Sequence, residues 1–229
     1  MKRKSLVIFG MLLILVFMQG CKARPEQNLL KSYFHACSLN DVTTMSTMAV
    51  DPIRIEAASW SITKVGEEVV APAMLPDMTQ KEAELKKNTD AHIPVTLDAQ
   101  DVLNNAKDEL TAARTAGARG AAKVKVDEAQ KKYDEEYKLH QDMLKAYNDA
   151  KIAAAREEEI TSFSLNAGQL ANIRELKGNV HSKEVEIQIK APNGTTENMK
   201  ITMMMYDLKD EAANFSRRGQ WKITKFEKL

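Results

Sequence analysis

The side chains able to do chemistry are few and widely spread. His35, His92, His140 and His181 are the four histidines, and no two fall at the spacing that sets a pair of imidazoles on one helix face. A zinc site needs three or four converging ligands, so no metal is expected. Met203-Met204-Met205 offers thioethers of the kind that suit Cu(I). On a strand, however, Met203 and Met205 would point inward beside Met199 and serve as core filling. Arg217-Arg218 has the form of an anion clamp, but with Asp210 and Glu211 in the same loop it reads as a solvated mixed-charge turn. The chain has no glycine-rich phosphate loop and no Gly-x-Ser-x-Gly elbow. These patterns point away from catalysis, and no cofactor is expected.

The two cysteines, Cys21 and Cys37, have different prospects. Leu30, Tyr33, Phe34 and Cys37 share one helical face, which predicts a buried, inert thiol. Cys21 ends a different kind of segment. Lys2, Arg3 and Lys4 precede an apolar run from Leu6 to Met18, and Gln19-Gly20-Cys21 follows. A basic start, a short apolar stretch and a small residue before a cut describe a secretory signal over residues 1–20. The run is shorter than the roughly 20 residues a spanning helix needs. With its box Met18-Gln19-Gly20-Cys21, the leader resembles that of a bacterial lipoprotein. That resemblance implies a diacylglycerol thioether and an amide-linked acyl chain on Cys21, which together hold a protein stably at a bilayer. It places the protein in the bacterial cell envelope, facing the periplasm or the outer cell surface. Lys22, where an inner-membrane retention signal has Asp, favours the outer membrane.

Without residues 1–20 the chain keeps 30 Lys and Arg against 32 Asp and Glu. Such a balance gives no electrostatic reason to bind nucleic acid. Charged residues at 28% of the chain are those of a folded soluble body.

Three segments differ in periodicity. In residues 21–76, Pro25 opens a helix to about Ser38, and Asp41 caps a short second helix bearing Val42, Met45 and Met48. Asp51-Pro52 stops it. Ile53, Ile55 and Ala57 alternate, and Trp60 and Ile62 resume with opposite parity, which predicts a strand bulged near Ala58-Ser59. Pro72 and Pro76 mark an extended connection.

Residues 77–159 are rich in helix formers. Thr79 and Glu82 form a capping box for a first helix, Ile93-Pro94 interrupts it, and a second runs from near Leu97 to Ala116. Gly117-Ala118-Arg119-Gly120 is read as the turn. A long helix from about Ala122 to Glu158 returns, carrying Tyr133, His140, Met143 and Tyr147 on one stripe. This predicts an antiparallel, coiled-coil-like hairpin with a Pro94 kink in its outgoing arm.

Residues 160–229 switch to period two. Phe163 and Leu165 begin a strand; 169–177 fit either a strand or a helical turn. Val185 to Ala191 and Met199 to Met205 form a hairpin about Pro192-Asn193-Gly194. A charged loop over 208–219 leads to a last strand at Trp221 and Ile223. The class is α+β: N-terminal helices packed on a curved antiparallel sheet, interrupted by the helical hairpin.

Tyr33-Phe34-His35-Ala36 through Asn40-Asp41, with Gly219-Gln220-Trp221-Lys222-Ile223 near the end, resembles nuclear transport factor 2-like (cystatin-like) lipoproteins. The resemblance covers about 25–76 and 160–229 and implies a cone-shaped body, with Tyr33, Trp60 and Tyr206 as expected pocket-lining residues. It spans isomerases, dehydratases and pure binding modules, so it assigns no activity.

Function is therefore expected in the hairpin. Tyr133, Tyr137, His140 and Tyr147 line or border its apolar stripe, and aromatic residues are enriched where surfaces dock. The expected protein is a lipid-anchored, non-catalytic interaction module contacting a protein partner, or itself, through the hairpin. A small-molecule or enzymatic cone is one alternative. Another is a periplasmic adaptor of an efflux or secretion system, although Ala191-Pro192-Asn193-Gly194 comes too late and one residue short for an adaptor's lipoyl-like strand.

Overall fold

The computed structural model describes residues 24–166, 172–210 and 215–229; Cys21 and the expected leader over residues 1–20 lie outside them. Helix α1 (Pro25–Ser38) starts with proline at its first turn and buries Leu30, Tyr33, Phe34 and Cys37. Helix α2 (Val42–Ser46) is capped by Asp41, whose carboxylate accepts from Thr44 N–H at 3.0 Å. Strands β1 (Ser59–Val65) and β2 (Val69–Pro72) follow, then the long helices α3 (Leu75–Ala112) and α4 (Ala116–Leu165). A 3-10 turn (Ile173–Glu175) leads to β3 (Lys177–Lys190), β4 (Thr196–Asp210), β5 (Phe215–Arg218) and β6 (Lys222–Lys228).

The sheet is antiparallel and curls into a half-barrel. β1 and β2 pair in succession along one side of β3, β3 pairs β4, and β6 and β5 pair in succession along β4. Successive side chains on a strand face opposite ways, so each face of this sheet has its own core. On one face Val185, Ile187, Met199, Ile201 and Met203 pack against Leu30, Tyr33, Phe34 and Met45 of the N-terminal helices. On the other, Val180, Tyr206 and Leu208 pack against Leu75 at the start of α3, Leu165 at the end of α4, and Ile173 and Leu176. The root of the hairpin is thus built into the body.

Several sequence expectations need correction. Residues 53–58 are not part of a strand; they form an extended strap, and the register slip lies at Ile62/Lys64 instead of Ala58-Ser59. The Tyr33 hydroxyl holds the strap, donating to Ile53 O at 2.7 Å and accepting from Ile53 N–H at 2.9 Å. Ile55 and Ala57 still pack inward, which is why the segment reads as alternating. Pro76 belongs to the first turn of α3, and Pro94 does not divide it. An interior proline costs a helix about 3 kcal/mol, but Pro94 is exposed, and Thr89, Ala99 and Leu103 on both sides are buried against α4. Tertiary packing outweighs the local penalty.

The hairpin turn is earlier than the glycines suggest. It occupies 113–115, and Gly117 and Gly120 sit inside α4, because Thr115 caps that helix by accepting from Ala118 N–H at 3.2 Å. Phe163 and Leu165 are the last turn of α4, not a strand; Asn166 ends the helix at φ 46. Of the ambiguous stretch 169–177, residues 173–175 form the 3-10 turn, 177 begins β3, and 169–171 lie outside the described residues. β4 continues to Asp210 and β5 occupies 215–218, where a charged loop was expected. Met204 faces away from buried Met203 and Met205, so the three thioethers do not converge.

Candidate functional site: the helical hairpin

The inward residues of α3 step strictly by three and four: Leu75, Met78, Glu82, Leu85, Thr89 and His92, then Thr96, Ala99, Leu103, Ala106 and Leu110. Those of α4 do the same through Ala122, Val126, Ala129, Tyr133, Glu136 and His140, then Met143, Tyr147, Ala150 and Ala154. Every one of these positions is buried or half-buried. A 3.5-residue repeat on both arms is the condition for an antiparallel two-stranded coiled coil. At 1.5 Å per residue the arms measure about 57 and 75 Å.

Composition along this seam is uneven. Toward the tip it is apolar, with Leu103, Ala106 and Ala129 against Val126 and Tyr133. At mid-length it is polar, with His92, Thr96, Glu136 and His140. His92 and His140, which seemed scattered in sequence, stack across the arms with centroids 6.0 Å apart. His92 Nε2 lies 3.4 Å from the Glu136 carboxylate and 3.3 Å from its carbonyl oxygen. His140 Nδ1 is buried with no hydrogen-bond partner among the described residues. Sequence spacing could not find this pair, because it depends on the register between the two arms.

The apolar side chains missing from the mid-seam stand outside it. Ile93, Val95, Leu97, Val102, Tyr137 and Leu139 are each 43–53% exposed. Of the aromatic residues expected to contact a partner, Tyr133, His140 and Tyr147 are half-buried in the seam, and Tyr137 faces out with its ring 5.8 Å from that of Tyr133. A polar interior with an apolar exterior reverses the ordinary arrangement of a solvated coiled coil.

The root is fixed by polar contacts as well as by packing. Arg174 donates from Nε to Glu158 at 2.7 Å and from Nη1 to Glu82 at 2.9 Å, joining both arms to the 3-10 turn. Arg156 pairs with Asp51 and with Glu159. The Tyr206 hydroxyl donates to Glu157 at 2.8 Å, and burial, followed by the Glu157 charge, pushes its pKa well above the ordinary tyrosine value.

The three residues expected to line a cone pocket are not brought together. Tyr33 is in the first core with its hydroxyl committed to the strap, and burial raises its pKa. Trp60 stacks on Phe34 at 4.8 Å, whereas Tyr206 lies across the sheet in the second core. Beside the Phe34–Trp60 pair is an open cleft of about 630 Å³, bordered by Lys31, Arg54 and Pro192. Cys37 also borders it, and burial pushes its thiol pKa up, away from nucleophilic use. Sequence reasoning missed one pair on the body: Glu68 and His181, 2.7 Å apart, with Lys183 bridging Glu68 and the buried Glu26. Their partnership follows from the pairing of β2 with β3 and leaves no local signal.

No protein family, curated protein or solved structure matches this chain.

Proposed function

We propose that the protein is a lipid-anchored, non-catalytic module of the bacterial cell envelope, tethered through Cys21, whose hairpin docks a protein partner. The observation that carries this reading is the inside-out middle of the hairpin: Ile93, Val102, Tyr137 and Leu139 exposed, His92, Glu136 and His140 enclosed. Exposed apolar patches on a soluble surface mark interaction sites. A root tied to both arms by Arg174 makes the hairpin a rigid presenter of that surface. The nuclear transport factor 2-like resemblance is in keeping with a body of two short helices on a curled sheet. The test is a photo-crosslinking residue in place of Tyr137 and, separately, of Leu139 in cells: one dominant adduct at either position supports docking, and none at both refutes it. Replacing Cys21 with Ser should release the protein from the membrane fraction.

A second reading, a small-molecule or enzymatic body, is favoured by the Glu68–His181 pair. A carboxylate on Nδ1 orients an imidazole and leaves Nε2 to exchange a proton. Substituting Glu68 with Gln would impair such an activity while leaving hairpin crosslinks unchanged. The efflux or secretion adaptor remains a third, weaker proposal, supported only by the lipid anchor and the hairpin.

A further inference from the structure

We infer that the hairpin's partner at mid-length is a second copy of this chain, packed antiparallel along one flank; this rests on the docking reading above. The flank in question is fixed by the Lys125–Glu109 ion pair, which bridges the two arms at 2.7 Å beside the seam. Stepping one heptad at a time toward the root, Val102 then faces Lys132, and Val95 faces Leu139. The flank therefore has two parts. Val95 and Leu139 form an exposed apolar ridge. Nearer the tip, the small seam residues Ala106 and Ala129 floor a groove of about 410 Å³ whose rim carries Glu109, Lys125, Glu128 and Lys132.

Ridge and groove lie ten to eleven residues apart, about 16 Å along the helices. A two-fold axis midway between them, beside Val102, lays each ridge into the other copy's groove. This is the self-complementary contact an isologous dimer needs. Charge follows the same rotation: Lys132 meets Asp98 and Glu135 of the second copy, and Lys125 meets Asp142, all exposed. The rotation also carries each body beyond the other's tip, so the bodies do not collide. The opposite flank lacks this match. Its apolar residues, Ile93, Leu97, Tyr137 and Leu144, lie between Lys107, Lys123 and Lys151 with Asp90, Asp127 and Asp134 among them, and an antiparallel copy centred on Tyr137 there would set Lys123 against Lys151.

The test uses the full chain with Cys21 and Cys37 changed to Ser. Val102→Cys should crosslink two copies through a short bismaleimide, and Tyr137→Cys, on the other flank, should not. Lys132→Glu should lower the crosslinked yield at least tenfold, and adding Asp98→Lys and Glu135→Lys should restore it, with helical circular dichroism unchanged throughout as the check on folding. Failure of Val102→Cys to crosslink at about 100 μM, above the dissociation constants typical of specific interfaces, would overturn the inference. So would equal crosslinking from Tyr137→Cys, or a Lys132→Glu variant that dimerises as before. If the chain stays monomeric while a photo-crosslinker at Leu139 captures a different protein, self-pairing is wrong and the docking reading stands. If neither forms an adduct, both fall.

Discussion

Gly219 packs directly on Ser164, so closely that a methyl group at Gly219 would overlap the Ser164 hydroxyl and backbone. Around this contact, Ser164 Oγ donates to Gln220 O at 2.8 Å and accepts from Tyr206 N–H at 3.1 Å, while Gln220 N–H donates to Ser164 O at 2.7 Å. Here the last turn of α4 is joined to the sheet. Gly219→Ala should therefore lower stability by about 1–3 kcal/mol, a fall in melting temperature of several degrees for a chain this size. An unchanged thermal transition would mean that the joint relaxes freely.

Tyr33→Phe tests the strap. The substitution keeps the ring and its contact with Phe226, at 5.3 Å, and removes both hydrogen bonds to Ile53. Because water reaches half-exposed Ile53, the cost should be modest, about 1 kcal/mol. Amide exchange should quicken at Ile53 itself, while the sheet amides keep their protection. Equal protection at Ile53 in both proteins would remove the tyrosine from this role.

Gly120→Ala should stabilise the protein by about 0.5–1 kcal/mol, because Gly120 is helical and a Cβ there meets open space. Were 117–120 a turn with positive φ, the same change would destabilise. Urea denaturation gives the sign directly.

What could be read from sequence follows from the range of each interaction. Helix α1, the Asp41 cap and the β3–β4 hairpin about Asn193-Gly194 depend on neighbours a few residues apart, and each lies where its pattern puts it. Pro94 gave a strong local signal that long-range packing overrode, whereas the signal of Gly117 and Gly120 yielded to another local one, the Thr115 cap. The Phe163–Leu165 stretch looked like a strand because Thr161 and Ser164, its buried seam positions, are polar and hide the helical period. The His92–His140 and Glu68–His181 pairs were invisible, because each requires a register between segments far apart in the chain, 113 residues for Glu68 and His181.

Arg174→Met should loosen the hairpin root. The guanidinium is about one-third exposed, so the loss should be near 1 kcal/mol and should shrink as salt rises. Because Arg174 bonds Glu82 and Glu158 from separate nitrogens, Glu82→Gln and Glu158→Gln should each recover part of the coupling in a double-mutant cycle. Zero coupling to one glutamate would show that the clamp holds a single arm.

Lys222 gives a pH dependence of determinate sign. Its ammonium is buried, donates to Thr47 O at 2.8 Å and sits 4.5 Å from the centre of the Phe163 ring. Burial lowers its pKa below the ordinary lysine value. The folded protein then binds this proton less tightly than the unfolded chain does. Between the lowered value and about 10.4 the unfolded state holds more protons, so this group's contribution to stability rises with pH through that window and is a constant penalty below it. Lys222→Met keeps the stem and removes the titration. Measured by urea denaturation from neutral pH upward, wild type should gain stability relative to the variant as pH approaches 10.4, and the difference should be flat below the window. Lys86 and Lys200, whose pKa values are raised by their carboxylate partners, titrate alike in both proteins and cancel. A difference that stays level up to 10.4 would mean that the Lys222 ammonium is as well solvated folded as unfolded.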